Sequence, residues 1–126
     1  MILYHGSNVI VQNPVVSKGK ASVDFGQAFY LTSDYEQANR WANQVKNRRG
    51  TGTAYISEYE VDETEFTKLR ILHFTEPNAE WLHFVADNRR RIYLQRKEIQ
   101  VCAVSLLCAG SILDRNLSGC LCFKDY

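Results

Sequence analysis

The sequence has no long apolar run and almost no net charge. No stretch approaches the roughly 20 apolar residues that a membrane-spanning helix needs, and no basic stretch precedes an apolar one near residue 1, as a secretory signal would require. The 15 basic and 14 acidic residues give a formal charge of +1. This balance offers no bulk attraction to nucleic acid or to an anionic membrane. We therefore expect a cytoplasmic protein that makes no membrane contact.

Cysteine is absent from the long N-terminal part of the chain. The four cysteines all come late, at Cys102, Cys108, Cys120 and Cys122. A secreted disulfide scaffold spreads its cysteines to join distant segments, so this clustering favours a reducing compartment. Zinc sites usually have ligand pairs about two to four residues apart, and this spacing differs. We expect four small buried side chains and no metal site, with metal binding as the minor alternative.

Short β-prone stretches interrupted by two helical patterns are typical of an α+β domain. We predict a single small domain over residues 1–126, with two short packed β-sheets and flanking helices. Residues 17–27 read as a loop hinged at Gly19 and Gly26. The predicted strands are 2–4, 9–11, 28–32, 53–61, 69–74, 99–107 and 121–123.

The clearest predicted helix begins after Thr32. Ser33 and Glu36 have the spacing of a capping box. In this motif the side chain of each residue accepts a hydrogen bond from the backbone amide of the other. Gly50 supplies a stop. Apolar residues at i, i+3, i+4 and i+7 form one stripe, made of Ala38, Trp41, Ala42 and Val45. Cations that suit the negative end of the helix dipole follow, namely Lys46, Arg48 and Arg49.

A second helix is predicted to open at Pro77, where proline suits the first turn. One side of it carries Trp81, Phe84, Val85 and Asn88, and Arg89, Arg90 and Arg91 stand at its end. The arginines that end the two helices could contact phosphates. Solvated helix ends are the favoured interpretation, because cations are stabilised there.

Two segments combine residue types that suit ligand binding. Leu3–Ser7 ends a predicted strand with an imidazole beside a glycine and a hydroxyl, and glycine permits close approach of another group. Asp24–Thr32 is a glycine-hinged loop that runs into an aromatic strand, which can present a flat ring for stacking. His73, His83 and the Glu58–Glu60 pair have simpler structural or exposed interpretations.

These segments resemble the ADP-ribosyltransferase superfamily of the His-Tyr-Glu kind. They are more closely similar to a bacterial family of unknown function in that clan. That family is marked by Leu-Tyr-His-Gly-Ser, Asp-Phe-Gly-x-Gly-Phe-Tyr-x-Thr and a Trp-x-x-Phe-Val…Asn-Arg helix. The matching segments here are Leu3–Ser7, Asp24–Thr32 and Trp81 through Arg89. Ala28 stands where the pattern has glycine. The resemblance covers roughly residues 2–91, and residues 92–126 are atypical.

The resemblance implies an NAD-binding cleft between two small sheets, lined by His5 and Tyr30 as the catalytic residues. His5 would hydrogen-bond a ribose hydroxyl, the backbone of Gly6 would pair with the nicotinamide amide, and the Tyr30 ring would lie against the nicotinamide. Trp41 would help to wall this pocket, with core packing as the equal alternative. The implied cofactor-binding set is His5, Gly6, Ser7, Phe25, Gly26, Phe29, Tyr30, Thr32 and Trp41.

The third member of the implied triad is a glutamate on a late strand, and no matching motif follows Arg91. Glu98 and Asp125 are the acids near predicted late strands. We expect an enzyme that transfers ADP-ribose from NAD to a protein or nucleic-acid acceptor, such as a toxin does, with water as the default acceptor. The rival interpretation is a relic without catalysis that binds a nucleotide or a protein partner. A nucleic-acid-binding protein that uses the arginine clusters is disfavoured by the near-neutral charge.

Overall fold

The computed structural model describes residues 1–18, 24–68, 71–74 and 78–90, together with the backbone of strands 101–104 and 120–123. These residues form an α+β fold with two α-helices and six strands. The helices are α1 (Tyr35–Arg49) and α2 (Ala79–Arg89). The strands are β1 (Ile2–Ser7), β2 (Phe29–Thr32), β3 (Tyr55–Glu60), β4 (Ile71–Phe74), β5 (Val101–Val104) and β6 (Cys120–Phe123). Short 3-10 turns occupy Val16–Lys18 and Glu63–Lys68.

The strands join in one six-stranded sheet with the order β3-β1-β2-β6-β5-β4. The α+β prediction is thus confirmed, but the described strands make one hydrogen-bonded sheet instead of two packed sheets. The reason is that β2 pairs on both of its edges, with β1 on one side and β6 on the other. Neighbouring strands are antiparallel except β4 and β5, which are parallel.

Strand β1 runs further than the sequence predicts. It continues to Ser7 because β3 pairs with each of its residues, from Ile2 opposite Glu60 to Ser7 opposite Tyr55. The prediction of a strand over 9–11 is wrong. The amide of Val11 donates to Ser57 Oγ at 3.1 Å, and the Tyr59 hydroxyl donates to the Val11 carbonyl. Side chains of β3 thus form the hydrogen bonds to the Val11 backbone that a neighbouring strand would otherwise form.

Helix α1 begins at Tyr35 and is capped by Asp34, so the predicted capping box at Ser33 is wrong. Asp34 is the N-cap residue, with an extended backbone, and its Oδ1 accepts from the amides of Glu36 at 2.9 Å and Gln37 at 3.2 Å. One carboxylate oxygen therefore satisfies two amides that no earlier turn can reach. At the other end Gly50 caps the helix in the left-handed region, at φ 69°, as predicted.

Helix α1 packs against the sheet through its small residues. Ala38, Ala42 and Val45 are buried, as the stripe predicts, and Trp41 lies half-buried on the flank. Gly6 on β1 faces this stripe. A Cβ atom placed on Gly6 would overlap the Ala38 carbonyl oxygen and lie 2.8 Å from the Ala42 amide nitrogen. The contact between β1 and α1 therefore depends on a glycine at position 6.

A second cluster of buried side chains lies under α2. Its members are Phe25, Ala28, Phe74, Trp81, Phe84 and Val85, with Tyr30 and Leu72 packed against it. The predicted buried side of α2 is confirmed. Asn78 caps the helix by accepting from the Trp81 amide at 2.9 Å. Pro77, predicted to open the helix, lies outside the described residues.

Several other sequence expectations fall outside the described part of the chain. They concern Gly19, Arg91, Glu98, Asp125 and the four cysteine side chains. The backbone of β5 and β6 agrees with the predicted strands over 99–107 and 121–123. In the described residues, neither helix has the length and apolar character to cross a membrane.

Candidate functional site

The candidate site is built where β1 and β2 meet. Tyr4 opposite Thr32 is the registered pair of these two strands. Directly opposed residues of antiparallel strands share a face, and side chains alternate along each strand. Gly6 and Tyr30 therefore belong to the face of Tyr4, which α1 covers. His5 and Phe29 belong to the opposite face.

His5 is tied to the backbone of the neighbouring strand. Its Nδ1 atom lies 2.8 Å from the carbonyl oxygen of Tyr30. A carbonyl oxygen only accepts, so Nδ1 carries the proton and Nε2 is left as an acceptor in the neutral ring. Burial lowers the pKa of His5, and the bond to Tyr30 opposes this shift only in part. The imidazole is therefore neutral at neutral pH, with one tautomer fixed.

Phe29 supports the His5 ring from the same face of the sheet. The two rings are stacked, with centroids 4.3 Å apart and planes inclined by 28°. Tyr59 on β3 meets Phe29 edge-on at 5.7 Å. Aromatic stacking and the hydrogen bond to Tyr30 together hold the imidazole in one orientation. Phe29, from the implied binding set, thus contacts His5 directly.

The Tyr30 ring points away from His5, toward the loop that precedes β2. Its hydroxyl donates to the Gly26 carbonyl at 2.7 Å and accepts from the Phe25 amide at 3.2 Å. Its ring lies 6.1 Å from that of Phe25. Gly26 has a φ of 74°, in the region that glycine favours. His5 and Tyr30 thus meet through the Tyr30 carbonyl, but their rings lie on opposite faces of the sheet. This differs from the expectation that the two side chains line one cleft.

An ion pair connects the loop before β2 to the end of α2. Asp24 is 7% exposed, and its Oδ1 accepts from both Nε and the terminal Nη2 of Arg89. Arg89 is therefore engaged with a carboxylate, which corrects its interpretation as a solvated helix end. Asp24 and Arg89 lie in two of the sequence motifs noted above, but sequence reasoning assigned no contact between them. The available signal was one charge in each of the two motifs, of opposite sign.

The residues that follow His5 have structural roles of their own. Gly6 makes room for α1, as described above, and Ser7 is buried. Asn8, which sequence reasoning missed, is also buried. Its side chain accepts from Arg49 Nη1 at 3.0 Å and donates to the Thr51 carbonyl at 3.2 Å. The end of β1 is thereby fixed to the C-terminal end of α1.

Thr32 connects β2 to α1 on the face that bears Gly6, and Trp41 lies further along α1. Thr32 Oγ1 accepts from the Asp34 amide at 3.1 Å and donates to the Gln37 side chain. Trp41, one turn after Gln37, lies under the guanidinium of Arg48, 5.3 Å from the ring centroid. Thr32 therefore helps to start the helix, and Trp41 presents a half-buried ring on the flank of α1.

An open depression in the described surface lies away from this junction. It is lined by Met1, Glu60, Val61, Asp62 and Glu63, at the end of β1 opposite to His5. The described residues also contain no group of three or more potential metal ligands. The β1–β2 junction is the place where the implied site residues gather, so it is the candidate site.

The fold and the junction define a class of protein. It is an α+β domain in which one strand carries a fixed imidazole and the neighbouring strand is rich in aromatic residues. The chain belongs to the family described as Protein of unknown function (DUF3990), whose model matches residues 1–105. The match includes all three sequence motifs and strand β5, and it ends before β6. No curated protein and no solved structure matches the chain.

Proposed function

We propose that this protein binds NAD at the β1–β2 junction and transfers ADP-ribose to a macromolecule, with water as the default acceptor. The observation that carries the proposal is the bond from His5 Nδ1 to the Tyr30 carbonyl. It joins the two motifs that resemble the ADP-ribosyltransferase superfamily. It also fixes the tautomer that a ribose-binding imidazole needs.

His5 supplies a hydrogen-bond acceptor of fixed direction. Because Nδ1 donates to Tyr30, the lone pair on Nε2 is the acceptor for a ribose hydroxyl. The lowered pKa keeps this lone pair unprotonated at neutral pH. A protonated ring would donate from both nitrogens and lose this role. The stack on Phe29 limits rotation of the ring.

The resemblance assigns the nicotinamide end of NAD to residues of the other face of the junction, against which α1 packs. Gly6 and Tyr30 belong to that face, and Ala38 and Ala42 of α1 lie against Gly6. A glycine backbone can approach a ligand amide closely, and aromatic rings stack on planar groups. We infer that Gly6 pairs with the nicotinamide amide and that Tyr30 and Trp41 bound its ring. His5 belongs to the opposite face of the sheet, and its contact with the ribose is the part of the proposal that the His5 variants test.

NAD supplies a ribose–nicotinamide bond whose cleavage develops positive charge on the ribose. The chain's contribution is to orient the ribose through His5 and to hold the nicotinamide leaving group. A carboxylate near the ribose would stabilise the developing charge. Asp24 is already paired with Arg89, and Glu58 and Glu60 are exposed on β3. Glu98 and Asp125 lie outside the described residues and are the acids to test.

The alternative is a nucleotide-binding or protein-binding module without catalysis. One observation favours it: within the described part of the chain, no carboxylate forms a hydrogen bond or ion pair with His5. Positioning alone supplies only part of the rate of such a reaction. Removing a group aimed at developing charge costs on the order of 10²–10³ in rate. A module of this kind would bind NAD and turn it over slowly or not at all.

Thermal unfolding with and without NAD tests the binding step. A ligand that binds only the folded state raises the melting temperature by mass action, so millimolar NAD should raise it. His5→Gln should reduce this shift, whereas His83→Gln should leave it unchanged, because His83 is exposed on α2. The absence of both a melting shift and a calorimetric heat in the native protein would refute the nucleotide site.

Release of nicotinamide separates the enzyme from the module. We expect slow release by the native protein, a decrease in His5→Ala, and a further decrease if Glu98→Gln removes the missing acid. Equal background release in all three proteins, with NAD binding retained, would establish the module. A decrease confined to His5→Ala would exclude Glu98 as the carboxylate and direct the same test to Asp125.

A further inference from the structure

Two cysteines stand opposite each other where β5 pairs with β6. Cys102 on β5 and Cys122 on β6 are registered partners of this antiparallel pair. Antiparallel partners have Cα atoms about 4.5 or about 5.5 Å apart, according to the hydrogen-bond pattern at that point. A disulfide needs a Cα separation of roughly 4.4–6.8 Å. The register therefore meets the distance requirement of a disulfide in either pattern.

The same register disfavours the pairings that involve Cys120. Cys120 is opposite Val104, so it is diagonal to Cys102. Diagonal neighbours lie about 7–8 Å apart, beyond the roughly 7 Å that a disulfide spans without backbone movement. Cys120 and Cys122 follow each other at two positions on one strand, about 6.8 Å apart at 3.4 Å per residue, which is the upper limit of the range. Within the described strands, Cys122 is therefore the partner that suits Cys102.

The cysteine pair lies in a row of registered residues that crosses four strands. Tyr30 on β2 is opposite Cys122, and Leu72 on β4 is registered with Cys102. In the strand order, β6 stands between β2 and β5. The sheet around the candidate site thus continues to β5 and β4 through β6. A covalent bond between β5 and β6 would hold β6 in register beside Tyr30.

We propose that Cys102 and Cys122 are a redox-active pair that forms a reversible disulfide between β5 and β6. The oxidant is a small-molecule disulfide such as oxidised glutathione. One cysteine thiolate attacks a glutathione sulfur and releases one glutathione thiolate. The second cysteine thiolate attacks the protein sulfur of this mixed disulfide and releases the other. The two cysteines lose two protons and two electrons, and the oxidant becomes two molecules of reduced glutathione.

The reverse exchange with a thiol reductant restores both cysteines. Transient disulfides of this kind act in redox sensing in compartments that keep most thiols reduced. The inference rests on the register of the sheet and not on NAD binding.

Peptide mapping of the native protein tests the pairing. The folded protein is incubated with oxidised glutathione, its remaining thiols are alkylated, and it is digested with trypsin without reduction. Trypsin cleaves after Arg115, which separates Cys102 and Cys108 from Cys120 and Cys122. We expect a disulfide that links the two peptides, with alkyl groups on Cys108 and Cys120 in the fragment spectra. Dithiothreitol should separate the peptides.

Two double variants with equal numbers of cysteines provide the matched comparison. Cys108→Ser/Cys120→Ser keeps only the proposed pair and should form the disulfide. Its melting temperature should rise on oxidation by about 5–15 °C, because the closed loop restricts the unfolded chain. Cys102→Ser/Cys122→Ser should form no disulfide between its remaining cysteines and should show no such rise.

Several outcomes would overturn the pair. They are a bond within either tryptic peptide, a bond between Cys108 and Cys120, and no disulfide in the native protein. An equal yield of the Cys102–Cys122 bond in denaturing urea would also overturn it, because the register is lost there. The NAD proposal fails separately: if NAD leaves the melting temperature of the reduced native protein unchanged, the nucleotide site is wrong and the cysteine pair stands.

Discussion

His5 donates from Nδ1 to the carbonyl oxygen of Tyr30 at 2.8 Å. The residues are 25 positions apart in the chain, and the bond crosses from β1 to β2. Because of this bond, the ring nitrogen of His5 that carries the proton depends on the position of β2. Because the Tyr30 hydroxyl holds Gly26 and Phe25, one residue connects the imidazole to the loop before β2.

The lowered pKa of His5 predicts how stability depends on pH. Burial lowers the pKa in the folded protein, whereas the unfolded chain keeps the ordinary value. Between these values the unfolded chain binds more protons, so acid favours unfolding. The free energy of unfolding should therefore fall as pH decreases through the ordinary histidine value, and the loss should be complete below the folded pKa.

The measurement is urea unfolding from about pH 7.5 to about pH 5, in the native protein and in His5→Gln. The native protein should lose more stability over this window than His5→Gln, in which no imidazole is present at this position. His83→Gln is the control and should retain the native slope. Parallel curves for the native protein and His5→Gln would show that the imidazole is not held neutral by burial.

Alanine at position 6 should destabilise the fold through α1. Its Cβ would overlap the Ala38 carbonyl and crowd the Ala42 amide, and backbone atoms of a helix cannot move aside singly. We expect a loss of about 1–3 kcal/mol in the free energy of unfolding, as for overpacked cores. Gly50→Asn is the comparison, since asparagine tolerates the left-handed region and no atom lies within 4 Å of that site. Equal stability of Gly6→Ala and the native protein would contradict the packing.

Removal of Arg89 should cost more than removal of its neighbour. Arg89→Met leaves the buried Asp24 carboxylate without its partner, and breaking a buried pair costs about 3–5 kcal/mol. Because the Arg89 side chain is 49% exposed, solvent reduces the expected loss to about 1–3 kcal/mol. Arg90→Met should change stability by less than about 0.5 kcal/mol.

A double-mutant cycle isolates this pair. Asp24→Asn, Arg89→Met and the double variant should give a coupling energy of at least about 0.5 kcal/mol, the lower limit for residues in direct contact. Additive effects would mean that the two side chains do not interact in solution. The same variants should loosen the Phe25–Gly26 loop, which proteolysis of the folded protein would detect.

The start of α1 offers a test between two neighbouring residues. Asp34→Ala removes the side chain that caps the helix and should cost about 1 kcal/mol. Ser33→Ala should cost less, because Asp34 is the N-cap residue of α1. Thermal unfolding followed by circular dichroism provides the comparison. A larger loss in Ser33→Ala would restore the capping box.

Much of the fold could be predicted because local signals agreed with tertiary contacts. The apolar sides of α1 and α2 are periodic features of the sequence that indicate which side of each helix is buried. Gly50 is a local signal that ends α1. The bounds of β1 could not be predicted. Glycine and serine after His5 read as a turn, and only pairing with β3, which lies about 50 residues later in the chain, extends the strand.

The candidate site was predicted by residue type and not by geometry. Sequence motifs brought His5, Phe29 and Tyr30 into one set, and the structure joins all three through a carbonyl and a ring stack. The alternation of β2 and its register with β1 decide which face each ring takes, and a register is a tertiary property. The Asp24–Arg89 pair was hidden for the same reason, since 65 positions separate the two residues.

The position of β6 has a consequence for how the candidate site is protected. β6 pairs with the whole of β2, including Cys122 opposite Tyr30, yet it lies beyond the part of the chain that the family model matches. Without it, the outer edge of β2 would present unpaired amides and carbonyls, a surface on which another chain can add a strand. Strand β6 thus shields β2, whose Tyr30 carbonyl holds His5, and its removal would turn an interior strand of the sheet into an exposed edge to which another chain could add a strand.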